Sequence, residues 1–544
     1  MQNPEEIVTD FSQSIEEDKQ SGDKLMDNTR EKKKDSLDVE TITQNAIDAT
    51  GFGIFNIQIA LLSALVYANS AIALSSTSFI LPAAVCDFEL NTVDKGRIAV
   101  FLLIGTTIGT IIWGFVTDLK GRKYSLVICL FLQGCSDFFM SFTPSYWCFL
   151  FYRFLSGIGI SGQITLVFAY AGEFQPTKFR KRILSWLDIA WIGGILLVPF
   201  LAWFIIPLEL QYVYGRFFFR SWNLFILISS LPGLIIGVFL LYYPETPKFL
   251  ANTKQYSKLL KVLVTMYQQN TPSKLKRNEE NVFFNKILSP FLIDNENNLS
   301  QIEKLENIEN NENGDRNLKI MLRNLKLQAI EIFKTPYWKK MIIGSVATFL
   351  ILAPYNTLIL WFPELLERFA IFQHHYPNES SSVCIVSQKL FSSNNDSNIC
   401  DRSIHESVFI DTLWLSASCI PPAILLPLFV DKLGFKFFLV SAIIISSLAT
   451  FGLFFVTTSL ENRILSCIFE STNSIGISII YCCLIEIFPT NFRILAMSVA
   501  ILSGRIGSLV GNLIFSYFID NYCAPVIITM SAQLFLGAIL CLIL

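Results

Sequence analysis

Five ionisable side chains lie inside long apolar runs of this sequence: Asp137, Arg153, Asp188, Glu470 and Arg505. A charge at mid-membrane is costly and marks a partner or a polar path. Asp188 is the most suggestive. It precedes Trp191 by three residues and so shares its helical face. A carboxylate beside an aromatic wall can hold a cationic ligand, the ring face adding cation–π attraction. The competing reading pairs Asp188 with Arg180 or Arg182 near the end of the same run. Arg153 reads as a packing residue bonded to backbone or to an acid. Glu470 faces either a cavity or the rim of the protein, and its spacing does not choose between them.

A second group of residues could act mechanically. The pattern Glu-x-x-Pro-Thr-x-Phe-Arg occurs twice, from Glu173 to Arg180 and from Glu486 to Arg493, 313 residues apart. Asp118-Leu-Lys-Gly121-Arg122-Lys123 and Asp431-Lys-Leu-Gly434-Phe435-Lys436 recur at the same offset. Two motifs sharing one offset indicate a duplicated chain. Carboxylates and guanidiniums at helix ends can form charge-assisted bonds that hold one conformation and break in another. That suits a gate built from Gly114, Asp118, Gly121, Arg122, Lys123, Arg153, Glu173 and Arg180, with Asp431, Gly434, Glu486 and Arg493 as the second copy. The bland reading is ordinary basic loop chemistry on one side of a membrane. The second copy is weakened, since Phe435 stands where the first has Arg122 and Pro427 where it has Gly114.

The elements that must position these groups are apolar helices. Of 544 residues, 52% are hydrophobic and 16% charged, against about 25% charged in soluble proteins. Apolar runs of about 20 residues suffice to cross about 30 Å of hydrocarbon. The sequence predicts twelve spans at 54–81, 96–117, 123–142, 146–170, 183–206, 222–242, 340–362, 407–430, 437–457, 463–486, 494–518 and 524–544. The last runs to Leu544, so the chain either ends at the membrane boundary or lacks a cytoplasmic tail. Residues 1–50 read as a polar, disordered tail without a signal-peptide core. The stretch 244–339 reads as a hydrophilic central loop, with helical apolar spacing at Tyr256–Gln268 and Leu318–Phe333. This leaves two six-span halves, 51–243 and 340–544. An even number of spans per half makes the halves parallel. Twelve scattered cysteines without metal-ligand spacing, and the absence of a phosphate-binding loop, predict no metal, no cofactor and no nucleotide motor. Nothing points to a nucleic acid partner, and no catalytic constellation is present.

Lys120, Arg122 and Lys123 after span 2, with Lys178, Arg180, Lys181 and Arg182 after span 4, put these loops and both termini in the cytoplasm. The loop 363–406 then faces the lumen or the exterior. It carries two glycosylation acceptors, Asn378 and Asn395. It also holds Cys384 and Cys400, a predicted disulfide in an oxidising compartment.

Gly114-Phe-Val-Thr-Asp118-Leu-Lys-Gly121-Arg122-Lys123 resembles the loop 2–3 signature of the major facilitator superfamily. Arg153-Phe-Leu-Ser-Gly157-Ile-Gly159 resembles its span 4 pattern, and Pro244-Glu-Thr-Pro-Lys248 the motif closing span 6 in its sugar and organic-ion branch. Within that branch, Val167-Phe168-Ala-Tyr170, Ser185-Trp186-Leu187, Ile205-Ile206-Pro207, Ser221-Trp222 and Trp361-Phe362-Pro363 are similar to the synaptic vesicle glycoprotein 2 family. The resemblance implies an all-α membrane protein with the twelve-helix fold of that superfamily. It implies a ligand pocket using Phe168, Trp191 and Tyr355. Where that family has a second tyrosine, and a tryptophan and an aspartate in span 10, this chain has Asn356, Ile477 and Tyr481. Its span 1 acids are replaced here by Ser70 and Ala73. The expected binding set is therefore Phe168, Asp188, Trp191, Tyr355, Asn356 and Tyr481.

The expected function is alternating-access transport of a small organic solute, an organic cation or a sugar, across a vesicle or plasma membrane. The coupling ion is unknown. The alternative is a vesicle-membrane scaffold or receptor with a transporter fold and little transport, which the missing span 1 acids and the eroded second gate favour.

Overall fold

In hydrocarbon a backbone must satisfy its own hydrogen bonds, and an apolar run of this length does so as a helix. The computed structural model describes residues 41–208, 210–215, 217–271, 337–375, 384–386, 404–425, 434–488 and 490–544. The long helices are α1 (Ile54–Ala83), α2 (Thr92–Lys120), α3 (Arg122–Met140), α4 (Tyr146–Glu173), α5 (Thr177–Ile205), α6 (Ser221–Leu241), α7 (Tyr337–His375), α8 (Glu406–Ala417), α9 (Phe435–Gly452), α10 (Ser459–Ile487) and α11 (Thr490–Ile543). Ten described stretches are long and apolar enough to cross a membrane. Beyond these, α3 occupies the expected third span. The run α11 breaks at Tyr522 (φ −131°, ψ 43°), where the eleventh and twelfth spans were expected to part.

The duplication is visible in the helix starts. Arg122 and Phe435, Tyr146 and Ser459, and Thr177 and Thr490 each open a helix, and each pair is 313 residues apart. Gly121 and Gly434 precede α3 and α9 with φ of +97° and +79°. An L side chain is strained in that region, so both turns use glycine.

Two differences from the sequence reading stand out. A short hairpin, β1 (Gln211–Tyr214) paired antiparallel with β2 (Phe217–Arg220), fills the α5–α6 connection. Its Arg220 meets Asp87 at 2.6 Å, and Trp222 Nε1 donates to the same carboxylate at 2.8 Å. Several helices also outrun their apolar cores: α2 begins at Thr92 rather than residue 96, and α7 continues to His375 rather than 362. The amphipathic helix Tyr256–Asn270 is present as expected, whereas 318–333 lies outside the described residues.

Contacts group the chain into two units. The smaller draws on residues up to 59, 171–182 and the segment after 244. In it Asn270 donates to Asn56 Oδ1 at 2.7 Å and to the Gly51 carbonyl at 3.2 Å, and accepts from the Phe55 amide at 3.2 Å. Asp48 accepts from the Thr177 amide at 2.7 Å and its hydroxyl at 2.9 Å, placing a negative charge at the first turn of α5. The larger unit comprises 60–170, 183–243 and the chain from 308. Its core includes Ala99 and Leu103 of α2 beside Ile351, Trp361 and Phe515 of α7 and α11.

Candidate functional site

The larger unit contains a small, partly open cavity between its helices. Helix α1 gives it Ser75, Ser78 and Phe79, and α5 gives Trp191, Ile195 and Pro199. From α7 come Tyr355 and Asn356, from α8 Thr412 and Ser416, and from α10 Glu470. The walls are apolar rings and aliphatics, with a few hydroxyls, one amide and one carboxylate, a composition typical of small-molecule sites. Glu470 is 1% exposed. One carboxylate oxygen accepts from the Tyr355 hydroxyl at 3.4 Å, and the other has no partner. Asn356 donates to the Ser508 hydroxyl at 2.7 Å.

Of the expected binding set, Trp191, Tyr355 and Asn356 line this cavity. Phe168 and Trp191 are brought together by Tyr67 of α1, whose ring lies 5.0 Å from the first and 4.9 Å from the second. Asp188 and Tyr481 are not lining residues. Asp188 is half-buried, and no ion pair among the described residues reaches it. Its alternative partner Arg180 donates instead to the carbonyls of Gly172 at 2.8 Å and Gln175 at 3.2 Å, and to Gln44.

A buried polar chain runs through α1, α3 and α4. Asn69 donates to Gln133 and Gln163, each at 2.9 Å, and Gln133 donates to Asp137 at 2.6 Å. Asp137 lies 4.0 Å from Arg153, which is fully buried. The acid facing Arg153 therefore comes from α3.

Sequence reasoning missed a charge cluster at one end of the bundle. Lys95 of α2 meets Glu364 of α7 at 2.5 Å. Arg368 meets the same Glu364 at 3.1 Å and Asp520 of α11 at 2.8 Å, and donates to the Thr92 hydroxyl at 3.1 Å. All four charged side chains are at most 12% exposed. Gly96 permits this approach, since a Cβ there would fall 2.1 Å from the Ser516 Cβ.

The expected gate residues fall in different surroundings. Asp118 and Arg122 pair at 3.7 Å one turn apart, and Lys123 donates to the Leu241 carbonyl at 2.8 Å. Gly114 has open space where a Cβ would stand, so packing does not require glycine there. Glu173 ends α4 in the smaller unit. Asp431, Asn378, Asn395 and Cys400 lie outside the described residues, and the side chains of Glu486 and Arg493 are likewise not described. The disulfide pairing needs correction. Cys384 is bonded to Cys523, with the two Cα atoms 5.3 Å apart, and not to Cys400. The break at Tyr522 brings Cys523 to the loop that follows α7, a proximity no sequence spacing reveals. Cys86 is disulfide-bonded as well.

Comparison with known proteins agrees with this architecture. Residues 44–288 match the family model described as sugar (and other) transporter. Mouse synaptic vesicle glycoprotein 2B is 29% identical over 332 residues, covering 60% of this chain and 47% of that protein. Human synaptic vesicle glycoprotein 2C is 29% identical over 357 residues, covering 64% and 48%. The chain thus spans about half the length of the curated relatives it matches. Among solved structures, a D-xylose–proton symporter superposes with a TM-score of 0.59 at 17% identity, over 90% of this chain and 97% of that one. The inward-open xylose transporter XylE from E. coli gives 0.61 at 16% identity, over 90% and 95%. The chain is a multi-pass membrane protein with the fold of these xylose transporters, and over part of its length it is similar to the synaptic vesicle glycoprotein 2 proteins.

Proposed function

We propose that the protein is a secondary transporter that moves a small organic solute, an organic cation or a sugar, by alternating access. The moving parts are two six-helix halves, 51–243 and 340–544, joined by the cytoplasmic segment 244–339. Both termini face the cytoplasm, and 363–406 faces the lumen or the exterior of a vesicle or plasma membrane. One observation carries this reading: the cavity is lined from both halves, by α1 and α5 on one side and α7, α8 and α10 on the other. Rocking of the halves about such a site opens it to each face in turn. The Lys95–Glu364 pair also crosses the two halves and holds one end together. Asp118 and Arg122, which pair at 3.7 Å, belong to the expected cytoplasmic gate.

Purified protein in liposomes should take up at least one of labelled phenethylamine, tetraethylammonium and D-xylose, with Trp191→Ala lowering uptake at least tenfold. Folded protein that takes up none of them would overturn the transport reading. It would favour the scaffold or receptor alternative, which Ser70 and Ala73 in span 1 already support.

A further inference from the structure

Among the described residues Glu470 differs from the other buried acids, of which Glu367 accepts from the His405 amide at 3.0 Å and the rest face basic side chains. Asp87 is paired with Arg220, Asp137 with Arg153, Glu364 with Lys95 and Arg368, Asp411 with Arg463, and Asp520 with Arg368. Glu470 is buried as deeply as any of them, yet among the described residues no basic group faces it. Among the described residues its one hydrogen bond is the long one from Tyr355, and its second oxygen is unpartnered. That carboxylate lines the cavity rather than a helix seam. A lone buried carboxylate is strongly disfavoured and is relieved either by taking up a proton or by a cation that joins it.

The rest of the lining has the complementary chemistry. Trp191, Phe79 and Tyr355 put aromatic rings in the lining, and an aromatic ring attracts an organic cation. Ser75, Ser78, Thr412 and Ser416 supply hydroxyl oxygens able to accept from an ammonium. A polyhydroxylated sugar needs several amide or guanidinium donors held in register, and Asn356 is the sole amide among the lining residues.

We infer that the cavity is an ammonium site, in which a protonated primary amine carried on a small aromatic or aliphatic body bonds to the free oxygen of Glu470. This rests on the transport reading for its physiological sense but not for the binding itself. The partner-free carboxylate supplied by α10 is the substrate-selecting residue, and Asp188 is not.

The test compares phenethylamine with its neutral isostere phenethyl alcohol on the full-length protein in nanodiscs, by thermal shift and by calorimetry. Wild type should bind the amine at least tenfold more tightly than the alcohol. Glu470→Gln should weaken the amine at least tenfold and leave the alcohol unchanged, and Glu470→Asp should retain part of the preference. Equal binding of amine and alcohol by wild type overturns the inference without recourse to any variant. So does a sodium-dependent shift without an amine response, which would make this a metal site. Glu470-dependent amine binding with no uptake of any solute sinks the transport reading alone. Xylose uptake indifferent to phenethylamine and to Glu470→Gln sinks the inference alone.

Discussion

Lys95 and Glu364 approach to 2.5 Å although 269 residues separate them, and both side chains are at most 10% exposed. Removing one member of a buried pair leaves an uncompensated charge, at a cost of about 3–5 kcal/mol. Lys95→Met should therefore lower the melting temperature measurably and open the neighbouring end of the bundle. Accessibility of a cysteine placed at Ser78 to an impermeant maleimide reads that opening. Unchanged labelling in Lys95→Met would show that the pair does not hold this end closed.

The Asp137–Arg153 pair belongs to a different class, because both partners lie in the N-terminal half and connect onward to Gln133. It should act on stability rather than on gating. Asp137→Asn is expected to cost about 3–5 kcal/mol. The double substitution Asp137→Asn with Arg153→Met should recover much of that loss, because no guanidinium is then stranded. A double-mutant cycle on melting curves checks this, and strictly additive losses would contradict it.

Gly434 offers a cleaner test, since a Cβ there would touch nothing within 4 Å. Any loss in Gly434→Ala comes from its φ of +79°. Backbone strain of this type costs about 1–3 kcal/mol. The duplication implies a loss of the same size in Gly121→Ala, whose φ is +97°. Markedly different melting shifts in the two variants would mean that the two turns are not equivalent.

The Cys384–Cys523 bond predicts a specific cross-linked peptide in a non-reducing digest. Cleavage engineered between Cys384 and Cys523 should leave the fragments joined until a reductant is added. Closing a loop this long stabilises a fold by about 2–4 kcal/mol, so Cys523→Ser should melt earlier. Recovery of a Cys384–Cys400 peptide instead would refute the pairing.

The sequence announced most of the helices and the duplication, because apolar length and motif spacing are local properties. Helix starts at Tyr146 and Ser459 coincide with the repeat offset to the residue. Charge clusters were illegible for an instructive reason. Read by apolar length alone, the spans end where charges appear, which leaves Lys95, Glu364 and Arg368 in loops. The helices in fact continue through them, because each charge is satisfied by a partner far along the chain. Tyr67 was overlooked inside an apolar run, where a phenol joining Phe168 to Trp191 gives no signal of its own. Glu470 was visible as an intramembrane acid, but its direction depends on how α10 is rotated against α7, which composition does not encode. The pairing of Cys384 failed likewise, since its partner sits beyond the break in α11.

That bond bears on how the protein can move. Within the C-terminal half, α7 and α11 are joined ionically at Arg368–Asp520, and the segment after α7 is bonded to α11 at Cys384–Cys523. These two helices must therefore travel as a single lever at this end. Separation from α2 is left to the Lys95–Glu364 contact and the Thr92–Arg368 hydrogen bond. Reductant should loosen the lever itself, whereas neutralising Lys95 should release it intact.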